Sequence, residues 1–228
     1  MRAPDQDQLD RASAAAWAAV SHERAAKLLR QYYDPTADYA GSSFLDLQPN
    51  NPQDLTATDL YALSLLDVRA TPLADRRLLE DGEPRARVLK ALADADLPAS
   101  ANLPSAGPAT FDAAEGLYLA VRDALGRKPW VTAPKLCARK RPHFFPVRDS
   151  VVTERLLGLG QSYFIDWQVY RHLLSDHKLM AAVQTKAAEA AQLLDQPNGL
   201  GDPPLRLLDA LLWMTAPAEF RRRGRRTR

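Results

Sequence analysis

Three features of the sequence predict an all-α protein folded as an orthogonal bundle of several helices. Strong helix formers dominate the chain, and runs of β-branched residues are short and rare. Apolar residues recur at helical spacing, and segments rich in Pro, Gly, Asn and Asp separate the periodic stretches. Hydrophobic residues make up 46% of the 228 positions, which is enough to form a substantial core.

The first helices are predicted from apolar periodicity and from capping residues. Apolar positions fall on one face over Leu9–Tyr33, which predicts one long amphipathic helix that ends at Asp34-Pro35. The next stretch, 34–55, reads as a loop with a short strand near 44–47. Thr56, followed three residues later by the acidic Asp59, is typical of a helix N-cap.

The rest of the chain continues the helical pattern without an internal repeat of fixed period. The pattern predicts one helical domain over 1–220, with a subdomain break at the Pro- and Ser-rich loop 97–110, and a disordered Arg-rich tail over 221–228. The remaining helices are expected near 56–68, 72–80, 84–96, 111–125, 131–140, 150–158, 162–175, 177–195 and 203–215.

The composition argues against several classes of protein. No apolar run approaches the roughly 20 residues that span a bilayer, and the segment Met1–Asp7 lacks the apolar stretch of a secretory signal. Cys137 is the only cysteine, so an internal disulfide, a Cys-based zinc site and an iron–sulfur cluster are excluded. We therefore expect a cytoplasmic protein with no metal, no cofactor and no membrane partner; its oligomeric state is open.

The charge is unevenly distributed along the chain. The tail 221–228 carries six arginines, and without them the net charge of +2 becomes −4. Seven basic residues and no acidic residue lie between Arg127 and Arg148. This stretch is either a phosphate-binding patch or a solvated helix face.

The same stretch contains a motif that resembles a known superfamily. It runs from Gly126 to Val152, with Thr132-Ala133 at the start of a predicted helix, Phe145-Pro146-Val147 in the following loop and Asp149 before the next helix. The arrangement resembles the helix-hairpin-helix core of DNA glycosylases. The resemblance covers about 30 residues.

The resemblance implies a fold and a chemistry. It implies a helix-hairpin-helix DNA glycosylase fold, in which the hairpin and a helix N-terminus bind a DNA phosphate. Asp149 occupies the place of the catalytic aspartate, which would stabilise an oxocarbenium ion or activate water while a flipped base leaves. Val131 stands where bifunctional enzymes have their lysine, so the implied enzyme is a metal-independent monofunctional N-glycosylase acting on DNA or a nucleotide-like ligand.

Asp149 is thus the candidate catalytic residue, and the neighbouring basic, aromatic and hydroxyl side chains are the candidate contacts to phosphate or nucleic acid. These candidates are Arg127, Lys128, Trp130, Thr132, Lys135, Arg139, Lys140, Arg141, His143 and Arg148. Arg127 and Pro129 replace the two hairpin glycines of the superfamily, and Pro129 has no N–H to donate to a phosphate.

Two non-catalytic interpretations compete with the enzyme. The fold could serve only to bind nucleic acid or phosphate, or it could have a structural or protein-interaction role in which Asp149 is merely a helix cap. Trp130 also fits a packing anchor, and His143 fits a solvent-facing loop. Segments such as Tyr61–Val68, Lys135–Pro142 and Pro204–Met214 are similar to an uncharacterised family of bacterial proteins, from which no activity carries over.

Overall fold

The computed structural model describes residues 3–126 and 129–220, and every regular element in these two ranges is helical. The all-α prediction is confirmed. The Arg-rich tail, Arg127 and Lys128 lie outside the described residues. The α-helices are α1 Gln6–Ser21, α2 Ala25–Tyr33, α3 Ala57–Leu65, α4 Pro72–Leu79, α5 Glu83–Leu92, α6 Pro108–Leu125, α7 Pro129–Lys140, α8 Tyr163–Ser175, α9 His177–Gln192 and α10 Pro204–Thr215. A π-helix, π1, spans Val151–Leu156.

Two local expectations are wrong. The predicted helix over Leu9–Tyr33 is two helices, because the chain turns extended at His22 and the His22 ring accepts a hydrogen bond from the Arg24 N–H. That local bond replaces a helical one and ends α1. The strand expected near 44–47 is a series of turns. Phe44 is buried there as a core residue, which explains its apolar character without a sheet.

The chain divides into two compact units, one comprising 1–41 and 148–228 and the other comprising 42–147. The loop 97–110 lies inside the second unit. The prediction of a single domain over 1–220 stays a prediction.

In the first unit, α10 is the central helix and packs against α1, α2 and α9, while π1 also contacts α10. Nearly every side chain of α10 is buried, including Leu208, Leu211 and Leu212. Its first residue is Pro204, which fits because the first turn of a helix has N–H groups without intrahelical partners. The unit thus places π1, with Asp149 and Ser150 just before it, on a buried apolar helix.

In the second unit, α6 packs against α4, α5 and α7, and α3 packs against α7. The core of this unit includes Leu63 of α3, Leu78 of α4, Leu117 of α6 and Phe144, which follows α7. No helix in the described part of the chain is both long and apolar enough to cross a membrane.

Candidate functional site

The predicted hairpin falls between α6 and α7. The connection is three residues long, since α6 ends at Leu125 and α7 begins at Pro129. Gly126, the described residue of this connection, has φ of 71°, a left-handed conformation that glycine adopts without strain. α6 and α7 pack against each other, and the connection between them lies where the sequence predicts the hairpin.

The described cations of the basic patch lie inside the protein. Five of the patch's seven cations are buried and make hydrogen bonds inside the protein, so the prediction of a solvent-facing patch is wrong for them. Their charged groups donate hydrogen bonds to oxygens of the protein, so they do not face a bound phosphate. These residues are Lys135, Arg139, Lys140, Arg141 and Arg148.

Arg139 and Lys140 share one buried carboxylate. The Asp59 side chain is fully buried, and its Oδ1 accepts hydrogen bonds from Arg139 Nε at 2.7 Å and from Lys140 Nζ at 2.6 Å. Its Oδ2 accepts the Thr56 N–H at 2.8 Å, which closes the predicted cap of α3. Burial lowers the pKa of Lys140 despite the neighbouring carboxylate. The cluster carries two positive charges against one negative charge in a dry environment, which makes Asp59 indispensable for the cations.

Lys135 and Arg141 donate hydrogen bonds to backbone carbonyls of other segments of the chain. Lys135 Nζ donates to the carbonyl of Leu66, the residue that caps α3, at 2.8 Å. Arg141 Nε donates to the carbonyl of Leu97 at 2.9 Å, and Nη1 donates to that of Pro52 at 2.7 Å. These bonds join α7 and the residue after it to three other segments of the second unit, so the side chains stabilise the fold.

Three candidates of the second unit keep contact with solvent. Trp130 and Thr132 are half-buried on the first turn of α7, and His143 is exposed. The backbone of His143 is held by its carbonyl, which accepts the Leu103 N–H at 3.1 Å. Of the candidates for contact with a phosphate, these three are the ones that the structure leaves accessible among the described residues.

Asp149 lies just before π1 and is half-buried. Its Oδ1 accepts the Val151 N–H at 2.8 Å. Its carbonyl accepts both the N–H and the hydroxyl of Thr153, each at 2.8 Å. Ser150 is the N-cap residue of π1 and makes no side-chain cap bond, whereas the Asp149 carboxylate binds the first N–H of π1 and so caps its start from one residue earlier. This contact fits the non-catalytic interpretation.

Arg148, the residue before Asp149, is anchored in the first unit. Its Nη1 donates to Asp166 Oδ2 on α8 at 2.7 Å, and its Nη2 donates to the carbonyl of Gly160 at 3.0 Å. Glu154 lies farther away, with Oε1 at 3.6 Å from Nη2. Burial raises the pKa of Asp166 to about 7, because the loss of hydration outweighs the attraction of Arg148.

Comparison with known proteins assigns a family. The model of a family described as having unknown function, DUF6308, matches residues 25–216. The chain belongs to DUF6308. No curated protein and no solved structure matches the chain. This match agrees with the resemblance to an uncharacterised family that the sequence shows. None of the comparisons matches a DNA glycosylase.

Two acidic residues of this DUF6308 protein were not predicted from the sequence to be site residues. Asp59 was assigned only to the cap of α3, and Asp166 was not singled out. A signal for Asp166 exists in the sequence, since it stands between Ile165 and Trp167 in an aromatic stretch where a charge must find a buried partner. No group of three His, Cys, Asp or Glu side chains within the described ranges is arranged to hold a metal ion.

Proposed function

We propose that this DUF6308 protein hydrolyses an N-glycosidic bond of DNA or of a nucleotide-like ligand, with Asp149 as the catalytic carboxylate. The observation that carries the proposal is the position of Asp149, a half-buried carboxylate held by the Val151 N–H at the entrance to π1. π-helical turns are rare, and they are found frequently at functional sites. An oriented, partly accessible carboxylate beside such a turn suits chemistry at a sugar carbon.

The chemistry requires a negative charge at a fixed place. When the bond between C1′ and the base breaks, positive charge develops on the sugar as an oxocarbenium ion. A carboxylate facing this carbon stabilises that charge, and it can take a proton from the water that attacks C1′. The bond to the Val151 N–H holds the Asp149 carboxylate before substrate arrives, so little reorganisation is needed.

The helix-hairpin-helix glycosylase fold is part of this proposal. It is supported by the short connection between α6 and α7, by the left-handed Gly126 that ends α6, and by the order of elements along the chain from Thr132 to Asp149. The buried cations of α7 weigh against phosphate binding through that helix. Among the described residues of the second unit, a contact to a phosphate would instead involve Trp130, Thr132 or His143.

A second candidate function is non-catalytic, either phosphate binding or protein interaction on the same fold. The observation that favours it is again the bond from the Val151 N–H to Asp149 Oδ1, because a cap explains that aspartate without chemistry. The two candidates differ in what they require of Asp149. The enzyme needs its negative charge, whereas a cap needs only an oxygen acceptor.

Substitution of Asp149 separates the two candidates. Asp149→Asn keeps an oxygen that accepts the Val151 N–H, so we expect little change in stability and a loss of base release of at least roughly 100-fold. Asp149→Ala removes both the cap and the charge, and we expect it to lose activity and about 0.5–2 kcal/mol of stability. The measurement is base release from damaged and normal oligonucleotides and free nucleosides, beside denaturant unfolding of each variant.

Each outcome of this experiment has a meaning. Release by the parent that persists in Asp149→Asn would refute the catalytic role of the carboxylate. Release by neither parent nor variant, together with a stability loss confined to Asp149→Ala, would favour the cap and the non-catalytic function.

The salt dependence of DNA binding tests where phosphate contacts lie. With five cations of the basic patch buried, we expect binding to depend on the six arginines of the tail. Replacing all six with glutamine should reduce the slope of log affinity against log salt by up to about 5 for duplex DNA. Lys178→Gln, an exposed change elsewhere, is the control. An unaltered slope in the tail variant would contradict the expectation and would show that residues outside the tail contact the phosphates.

A further inference from the structure

The backbone of Asp149 is held on both sides. On its C-terminal side, the Asp149 carbonyl is bound by the N–H and hydroxyl of Thr153. On its N-terminal side, the neighbouring Arg148 side chain is buried and bound to Asp166 and to the Gly160 carbonyl. The segment that enters π1 is therefore held by the bonds of Asp149 itself and by the ion pair of the residue before it.

We propose that Asp166 is a positioning residue for Asp149 and that it acts through Arg148. The inference rests on the proposed function for the catalytic importance of Asp149. The connection between Asp166 and the Asp149 segment depends only on the bonds of Arg148 to Asp166 and to the Gly160 carbonyl. Asp166 touches no reacting atom, so its contribution is to the orientation of the segment that enters π1.

The surroundings of Asp166 make this anchor sensitive to pH. Asp166 is 3% exposed, and its Oδ1 has no hydrogen-bond partner among the described residues. Burial raises the pKa of Asp166 to about 7; Arg148 opposes this rise, and Glu154 of π1 adds to it. Protonation of Asp166 removes the ion pair and leaves Glu154, 3.6 Å away, as the nearest anion described for Arg148.

The other packed elements add few charges near this carboxyl. Of the groups on α8 itself, the buried Tyr170 hydroxyl senses the Asp166 charge. Tyr170 is also influenced by Asp209 and Arg206 of α10. No charged group of α1 or α9 is among those that shift the pKa of Asp166. Apart from burial, Arg148 is therefore the main influence on the pKa of Asp166.

Amide hydrogen exchange of the full-length protein tests the proposal. The N–H groups of Val151 and Thr153 bond to Asp149, so their protection reports how firmly that segment is held. We expect their protection factors to fall by roughly tenfold between about pH 8 and about pH 5.5 in the parent. In Asp166→Asn, which lacks the charge at every pH, we expect the lower protection at both values.

Two comparisons make the experiment specific. Amides in the middle of α10 serve as an internal reference that the first unit remains folded. Asp176→Asn, which alters an aspartate that caps α9 through Lys178 and Leu179 N–H groups, should leave the Val151 and Thr153 amides as in the parent. Parallel behaviour of this control and Asp166→Asn would overturn the proposal.

The unaltered protein alone provides a further test that needs no variant to fold. Constant protection of the Val151 and Thr153 amides across the pH range would also overturn the proposal. A pH-dependent change without base release from any substrate would uphold the anchor and refute the proposed reaction. If the parent and Asp166→Asn release base equally well and the protection of the two amides is unchanged, the reaction is upheld and the anchor is refuted.

Discussion

Replacing Asp59 with alanine is expected to lower the free energy of unfolding by roughly 3–5 kcal/mol. The reason is the charge that the change leaves behind. Arg139 Nε and Lys140 Nζ both bond to Asp59 Oδ1, and the side chains of all three are almost completely shielded from water. Without the carboxylate, two buried cations lose their counter-charge.

The chain offers a matched control in Asp54. Asp54 Oδ1 accepts a hydrogen bond from Arg85 Nη2 at 2.6 Å, but the Asp54 side chain is 41% exposed. Water can replace the carboxylate there, so Asp54→Ala should cost only about 0–1 kcal/mol. The measurement is the midpoint of urea unfolding followed by circular dichroism for the parent and both variants. Equal losses for Asp59→Ala and Asp54→Ala would contradict the role assigned to the buried cluster.

Asp59→Asn separates the charge from the geometry. Asparagine retains an oxygen that can accept the Thr56 N–H, so the cap of α3 is preserved. It provides no negative charge for Arg139 and Lys140. We therefore expect Asp59→Asn to lose most of the free energy of unfolding that Asp59→Ala loses. If Asp59→Asn is instead about as stable as the parent, the loss in Asp59→Ala comes from the cap alone.

The second large effect is a dependence of stability on pH caused by Asp166. Its pKa is about 7 in the folded protein and about 3.8 when unperturbed. Between these values the folded state binds a proton that the unfolded state does not bind. The stabilisation from this group is therefore complete below about pH 4 and is lost as the pH rises through about 7, with a change of at most roughly 4 kcal/mol.

The variant Asp166→Asn isolates this contribution because it cannot titrate. The difference in the free energy of unfolding between parent and variant should fall steadily from about pH 4 to about pH 7 and level off above. Urea unfolding at intervals across this range measures the difference. A flat difference would show that the carboxyl titrates normally and that burial does not control it.

Asp176 provides a control of opposite sign. Hydrogen bonds from the Leu179 and Lys178 N–H groups lower the pKa of this carboxyl, so the stability it contributes is lost only as the pH falls through acidic values. Between about pH 4 and pH 7, the difference between the parent and Asp176→Asn should be constant. A slope there would implicate a general effect of removing acids from the first unit.

The helices could be predicted from the sequence because their signals are local. Apolar spacing and cap residues act over three or four positions, so Thr56 with Asp59 predicted the start of α3, and the Pro203-Pro204 pair marked the start of α10. The order of elements from Thr132 to Asp149, a helix followed by a loop and a further helical segment, was also predicted from local signals. The break at His22 was missed because the bond between its ring and the Arg24 N–H has no periodic signature.

Only the tertiary structure decided what the basic stretch does. A run of cations from Lys135 to Arg141 looks the same in sequence whether it faces water or protein oxygens. Arg139 meets Asp59 from 80 positions away, and Lys135 meets the Leu66 carbonyl from 69 positions away. Helix periodicity determines which residues share a face. Whether a charged face is solvated or buried depends on partners brought together by packing, since a charge enters the interior only where a distant carboxylate or carbonyl receives it.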